Sequence, residues 1–128
     1  MTEPAASPPV ETARPPGLVL VLDALDAPLI ADFWATALRY DRQRALGPFE
    51  VLTPPQAGDA PALLVQAVDE PRQGKNRMHL DLHVPDMQAE AQRLVELGAT
   101  RLGEGSLGQI EWIRMADPEG NEFDIATD

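Results

Sequence analysis

Residues 78–86 read MHLDLHVPD, a stretch in which polar and apolar side chains alternate. His79, Asp81 and His83 take every second position, and the residues between them are apolar. Successive side chains of an extended strand point to opposite faces. The stretch therefore predicts a strand with one apolar face and one face carrying three side chains that are able to bind a metal ion or a polar ligand.

The chain contains this strand, and the helix that follows it, in two copies. LVLVLDALD (18–26) predicts an earlier strand, and Asp26 is placed to cap the next helix as Asp86 caps the later one. The first helix has apolar residues at helical spacing, namely Ile30, Phe33, Trp34, Ala37 and Leu38. The second helix has a similar buried stripe, with a left-handed stop at the glycine that ends it: Met87, Ala91, Leu94, Val95 and Gly98.

Short strand candidates follow each helix. They are PFEVLTPP and PALLVQAV in the first half and ATRLGEG, QIEWIRMADPEG and NEFDIAT in the second. The chain thus reads as β-α-β-β-β written twice, an α+β fold. We expect one domain over residues 18–127, with modules at about 18–70 and 76–127. Residues 1–17 are rich in proline and poor in large apolar residues, so we expect a disordered tail there.

Composition narrows the functional classes. The 128 residues are 44% hydrophobic and 24% charged, the balance of an ordinary globular domain. A net charge of −11 disfavours nucleic acid and anionic lipid as partners. The absence of cysteine excludes disulfides and thiolate metal sites. No stretch approaches the length of a membrane span, and residues 1–17 lack the pattern of a secretory signal, so we expect a cytoplasmic protein.

Several motifs together resemble one superfamily. The doubled β-α-β-β-β order, HLDLHVPD, the FWATAL helix and the ending DPEGNEFDI are similar to the vicinal oxygen chelate superfamily, which includes glyoxalase I, bleomycin-resistance proteins and extradiol dioxygenases. GKNRMHLDL with DPEGNEF most resembles its bacterial glyoxalase-like branch. The resemblance implies paired modules that form an open, curved mixed sheet around a concave cavity, with the helices on the outer face.

The resemblance also implies which residues correspond to the metal ligands of metal-using relatives. It places a histidine ligand at His79 and a carboxylate ligand at Asp124, where glyoxalase I has a glutamate. In the first module it places Val19 at a ligand position and Gln66 near the other. Valine cannot bind a metal and an amide oxygen is a weak ligand, so we expect no intact catalytic metal site and at most weak binding of Ni²⁺, Zn²⁺, Mn²⁺ or Fe²⁺.

Other residues are candidates for ligand contacts. Asp81 is placed to orient His79 or to bind a ligand with it, and Glu122 shares a strand face with Asp124. Trp112 offers a flat surface for a ring or a cation. His79 and Asp124 are also candidates for acid–base catalysis. His83 is too far along the strand to share one ion with His79, and we expect it to be solvated.

Three functional classes follow from these residues. They are a binder of a small, cationic or aromatic molecule, a metal-dependent lyase, isomerase or dioxygenase acting on vicinal oxygens, and a metal-free enzyme. The ligand deficit of the first module favours the binder. The resemblance further implies a homodimer.

Overall fold

A computed structural model describes residues 16–56, 58 and 60–128. The predicted tail therefore lies outside the described residues, except for Pro16 and Gly17, which are exposed. The first module contains β1 (Val19–Ala24), α1 (Ala27–Leu38), β2 (Asp41–Leu46), β3 (Phe49–Thr53) and β4 (Ala62–Ala67). The second contains β5 (Leu80–Val84), α2 (Met87–Glu96), β6 (Thr100–Leu107), β7 (Ile110–Ala116) and β8 (Glu122–Thr127).

The two modules have the same topology. The strand orders are β1-β4-β3-β2 in the first sheet and β5-β8-β7-β6 in the second. The first strand of each module runs parallel to the last, and the other pairings are antiparallel. This arrangement confirms the predicted α+β fold of two βαβββ modules with open mixed sheets. Each helix packs against one face of its own sheet, and we call the opposite face of each sheet its open face.

Both helices begin at the predicted aspartates. The Asp26 carboxylate accepts a hydrogen bond from Leu29 N at 3.1 Å, and Asp86 accepts one from Ala89 N at the same distance. Each bond satisfies a first-turn N–H that has no partner within its helix. Gly98 follows α2 with φ of +118°, which confirms the predicted left-handed stop.

The two modules share one hydrophobic core. Phe33 and Trp34 on α1 contact Phe123 on β8 of the other module, and the ring centroids of Trp34 and Phe123 are 4.9 Å apart. Such edge-on aromatic contacts stabilise beyond the area that they bury. The apolar stripe of α1 is buried as predicted, with Leu38 partly covered. Val95 was predicted to be buried, and that prediction is wrong because its side chain is 40% exposed.

Polar contacts also join the modules. Trp34 Nε1 donates to the buried carboxylate of Asp117 at 3.0 Å. Glu119, in the same turn, accepts from the backbone N–H groups of Leu25 and Asp26 at 2.9 and 2.8 Å. Arg93 on α2 donates to two carbonyls at the end of α1. Helix α1 is thus held by the second module at its start, middle and end.

No described helix has the length and apolar content required to cross a membrane.

Candidate functional site

A polar cluster lies on the open face of the second sheet. His79 Nε2 lies 3.1 Å from Asp81 Oδ1 and 3.3 Å from Asp124 Oδ2. One ligand atom from each of these three residues lies within 4.8 Å of the others. The side chains of His79 and Asp81 are about half exposed, whereas that of Asp124 is 19% exposed. The cluster therefore has one sheltered carboxylate and two groups in contact with solvent.

The strand register produces this cluster. Asp81 on β5 pairs directly with Asp124 on the parallel strand β8, so both side chains point to the same face. His79 stands immediately before β5, two positions from Asp81, and reaches both carboxylates. The apolar residues between these positions face α2 and the core.

The environment of Asp124 alters its protonation. Burial raises the pKa of the Asp124 carboxyl above its ordinary value, and the charge of Asp81 adds to that rise. His79, Arg114 and Lys75 oppose the rise in pKa, with His79 the strongest of the three. Asp124 is therefore a better proton acceptor than a solvated aspartate, a property that suits a general base.

A cavity of about 360 Å³ lies beside the cluster, between the first strands of the two modules. His79 and Glu122 contribute to its wall from the second module. The rest of the wall is mainly apolar and includes Leu18, Val19, Val21, Leu63, Met78 and Phe123. A more polar hollow of about 430 Å³ shares part of this wall. The volume of the cavity beside the cluster, about 360 Å³, suits a small organic molecule.

The other candidate residues lie elsewhere on the two sheets. Glu122 lies two positions before Asp124 on the same face, and its Oε1 accepts a hydrogen bond from Lys75 Nζ at 3.2 Å. Trp112 lies on β7 opposite Ala126, on the open face. Gln66 lies on β4, paired with Asp23 and Phe49 in the first sheet. His83 is exposed and stands outside the group of three.

Arg114 on β7 is a residue that the sequence reasoning overlooked. It pairs directly with Asp124 across the antiparallel β7–β8 ladder, so it shares the open face with the cluster. The alternation of Ile110, Trp112 and Arg114 was visible in the sequence, but Arg114 was not considered as a ligand contact.

The fold and this site together define a class of protein. The chain belongs to the glyoxalase-like domain family, whose model matches residues 19–126. Structurally it falls in the glyoxalase, bleomycin resistance and dioxygenase superfamily, the vicinal oxygen chelate group, as the sequence motifs indicated. No curated protein sequence matches the chain significantly.

Solved structures resemble it at low sequence identity. The fosfomycin resistance protein FosX from Listeria monocytogenes is 12% identical and has a TM-score of 0.73, with 91% of this chain and 95% of that chain covered. A glyoxalase/bleomycin resistance protein/dioxygenase family enzyme from Burkholderia phytofirmans is 14% identical, with a TM-score of 0.71 over 85% and 95%. A FosX variant complexed with Mn(II) and 1S,2S-dihydroxypropylphosphonic acid has a TM-score of 0.70 at 14% identity, with 86% and 88% covered. These likenesses show the fold alone.

Proposed function

We propose that this protein binds a small organic molecule between its two modules and has no intact catalytic metal site. The observation that carries the proposal is the cavity of about 360 Å³, which combines an apolar wall from β1 with a polar edge at His79 and Glu122. Pockets that bind small molecules typically combine a mostly apolar lining with a few placed polar groups.

The charges of the site indicate the chemistry of the ligand. Asp81, Asp124 and Glu122 make the polar edge acidic, which favours a ligand with a cationic or hydrogen-bond-donating group. Trp112 does not line this cavity, and its flat surface is available to a ring that lies further along the open face of the second sheet. Gln66 lies on the open face of the first sheet outside the lining of the cavity, and we propose it as a ligand contact only for a molecule that extends beyond the cavity.

The first module supplies little to bind a metal. Val19 lines the cavity at the position where the family resemblance implies a ligand, and its side chain has no donor atom. An apolar wall there suits an organic ligand better than an ion, because a divalent cation requires several oxygen or nitrogen ligands.

A metal-dependent enzyme is the second candidate, and a specific observation favours it. His79, Asp81 and Asp124 offer one imidazole nitrogen and two carboxylates, a donor set that fits Mn²⁺, Fe²⁺, Ni²⁺ or Zn²⁺. Such an ion, when bound, would supply Lewis acidity toward vicinal oxygens of a substrate. Asp81 would then be the third metal ligand, in place of Gln66, which the family resemblance places near a ligand position. Without a metal, His79 and Asp124 are the candidates for acid–base catalysis.

Metal titration distinguishes the two candidates. Protein purified without chelator should contain less than stoichiometric metal, and titration with Mn²⁺, Ni²⁺, Zn²⁺ and Fe²⁺ should show only weak binding. His83→Ala is the control for His79→Ala, because His83 lies on the same strand face outside the group of three. One tightly held ion per chain, lost on His79→Ala but kept on His83→Ala, would overturn the metal-free proposal.

Ligand binding is tested by a thermal-shift panel of small metabolites and drugs. A compound at about 100 times its Kd should stabilise the protein by about 2.7 kcal/mol. Val21→Asp should abolish the effect, because it introduces a charge into the apolar wall. Leu107→Asp, at an exposed site on β6, is the matched control. A panel in which stabilising compounds act equally on both variants would place binding elsewhere. Turnover of a bound compound would favour the enzyme classes.

We also propose a homodimer in the cytoplasm. The support for the dimer is the resemblance to the vicinal oxygen chelate superfamily, which implies pairing between chains. The acidic balance of the chain argues against nucleic acid as a partner.

A further inference from the structure

The charges on the open face of the second sheet are arranged in a row across its strands. Asp81 pairs with Asp124, and Asp124 pairs with Arg114 on the next strand. Neighbouring strands lie about 4.8 Å apart. The row therefore presents two negative groups followed by a positive one over a distance comparable to a small molecule.

Arg114 differs from the other basic groups near this row. Among the described residues, the ion pairs of this face join Lys75 to Glu122 and His79 to Asp81 and Asp124. None of them involves Arg114, whose side chain is exposed. Within the described part of the chain the guanidinium group has no ion-pair partner, so it is suited to bind a ligand carboxylate through two hydrogen bonds.

The carboxylates also have free acceptors. His79 approaches Asp81 through Oδ1 and Asp124 through Oδ2, so the second oxygen of each carboxylate has no ion-pair partner within the described part of the chain. A ligand that carried only a negative charge would be repelled by these two groups, and one that carried only a positive charge would leave Arg114 unused.

An aromatic surface lies next to this row. Trp112 is two positions before Arg114 on β7, on the same face, and its indole ring covers Gly105 of β6 so closely that a Cβ there would lie 2.4 Å from the ring. On the other side of Trp112, the pairing residue is the small Ala126. The ring of a ligand bound at Arg114 can therefore reach the indole without passing a bulky side chain.

We propose that the ligand is an aromatic zwitterion of the amino acid type. Its ammonium group lies against Asp81 and Asp124, its carboxylate lies on Arg114, and its ring lies against Trp112. These four residues lie on the open face of the second sheet and do not line the cavity of about 360 Å³, so this inference adds a second binding surface and goes beyond the proposed function.

The test uses three compounds with one ring and different charges. L-phenylalanine carries both charges, phenethylamine only the ammonium group, and 3-phenylpropionate only the carboxylate. Binding is followed by NMR of the two indole N–H signals. Trp112 should respond to a ligand on the open face, whereas Trp34, which lines the cavity, would respond to a ligand that binds there instead. Phenylalanine should bind about tenfold more tightly than either analogue, because each lacks a charge-assisted hydrogen bond.

Arg114→Gln should reduce the affinity for phenylalanine to that for phenethylamine. Arg44→Gln, which removes the same charge from the exposed edge strand β2, should leave it unchanged. If phenethylamine binds as well as phenylalanine, the site takes aromatic cations and the zwitterion proposal is wrong while the proposed function stands. If none of the three compounds shifts the Trp112 signal, the zwitterion proposal is also wrong, and the thermal-shift panel decides the proposed function separately.

Discussion

The charge of Asp124 is expected to lower the stability of the fold and to favour ligand binding. Its side chain is sheltered between β5 and β7, and this burial raises the pKa of its carboxyl above the ordinary value of 3.8. A carboxyl whose pKa is higher in the folded than in the unfolded state stabilises the fold most when it is protonated. That contribution is complete below the unfolded-state pKa and is lost as pH rises through the folded-state pKa.

Asp124→Asn should therefore stabilise the protein at neutral pH, because the amide carries no charge to desolvate. We expect a gain below about 1 kcal/mol, since the side chain keeps some contact with water. The difference in the free energy of unfolding between variant and native protein should grow as pH rises above about 4. Urea denaturation between pH 3 and 8, as approximate limits, measures it.

Asp41→Asn removes the same charge from the exposed strand β2 and is the control for Asp124→Asn. A loss of stability on Asp124→Asn at neutral pH would show that the contact with His79 outweighs the cost of burial. The same variant should weaken binding at the candidate site, so stability and affinity are expected to change in opposite directions.

The sequence indicated the residues of the cluster, but it did not indicate the long-range contact that holds the turn before β8. The period-two pattern of residues 78–86 placed His79 and Asp81 on one face, and the terminal motif placed Asp124 on a strand. The bond between Trp34 and Asp117 was beyond reach, because these residues lie 83 positions apart and no local pattern relates them. Asp117 was interpreted as a turn former, which it is, but its second role depends on tertiary packing.

At the scale of elements, the helices were more predictable than the edge strands. Capping aspartates and apolar stripes marked both helices, because these signals are local. Strand β2 was not identified in the sequence, although the module order required a strand there. DRQRAL has no alternation of apolar and polar residues that would predict a strand, and all six of its residues are exposed. Its pairing with β3 determines its structure.

The turn before β8 has a role in joining elements. Asp117 accepts hydrogen bonds from the backbone N–H groups of Glu119 and Asn121, both at 2.9 Å, as well as from Trp34. Its side chain is buried, so these donors would lack partners without it. The turn therefore holds α1 on one side and fixes the start of β8, which carries Asp124, on the other.

Asp117→Ala should destabilise the protein by about 3 kcal/mol, since it leaves buried donors unsatisfied. Asp117→Asn should cost roughly half as much, because its amide keeps one acceptor oxygen. Asp69 is an exposed aspartate between the modules, and Asp69→Ala is the control. It should change the free energy of unfolding by less than about 0.5 kcal/mol. Urea denaturation gives the three values. Equal effects of the alanine substitutions would mean that the hydrogen bonds of Asp117 add nothing beyond those of a solvated turn.

At the scale of the whole molecule, the two modules depend on each other. The hydrophobic core contains residues of both, and the contact between Trp34 and Phe123 crosses the boundary between them. A module separated from its partner would expose this aromatic surface and would lose the bonds that hold α1. The cavity between β1 and β5 exists only while the modules keep their relative positions, so the cavity is a property of the pair, whereas the cluster of His79, Asp81 and Asp124 belongs to the second module.

The modules should accordingly unfold in one transition. Phe123→Ala, in the second module, should destabilise the protein by about 3 to 5 kcal/mol. The same loss should be seen by the fluorescence of Trp34, in the first module, once Trp112→Phe has removed the other indole, and by circular dichroism of the whole chain. Coincident transitions are the mark of a two-state protein of this size. If Phe123→Ala lowered the midpoint seen by circular dichroism but left the Trp34 transition in place, the modules would be separate folding units, and a site built between them would lose its rigid support.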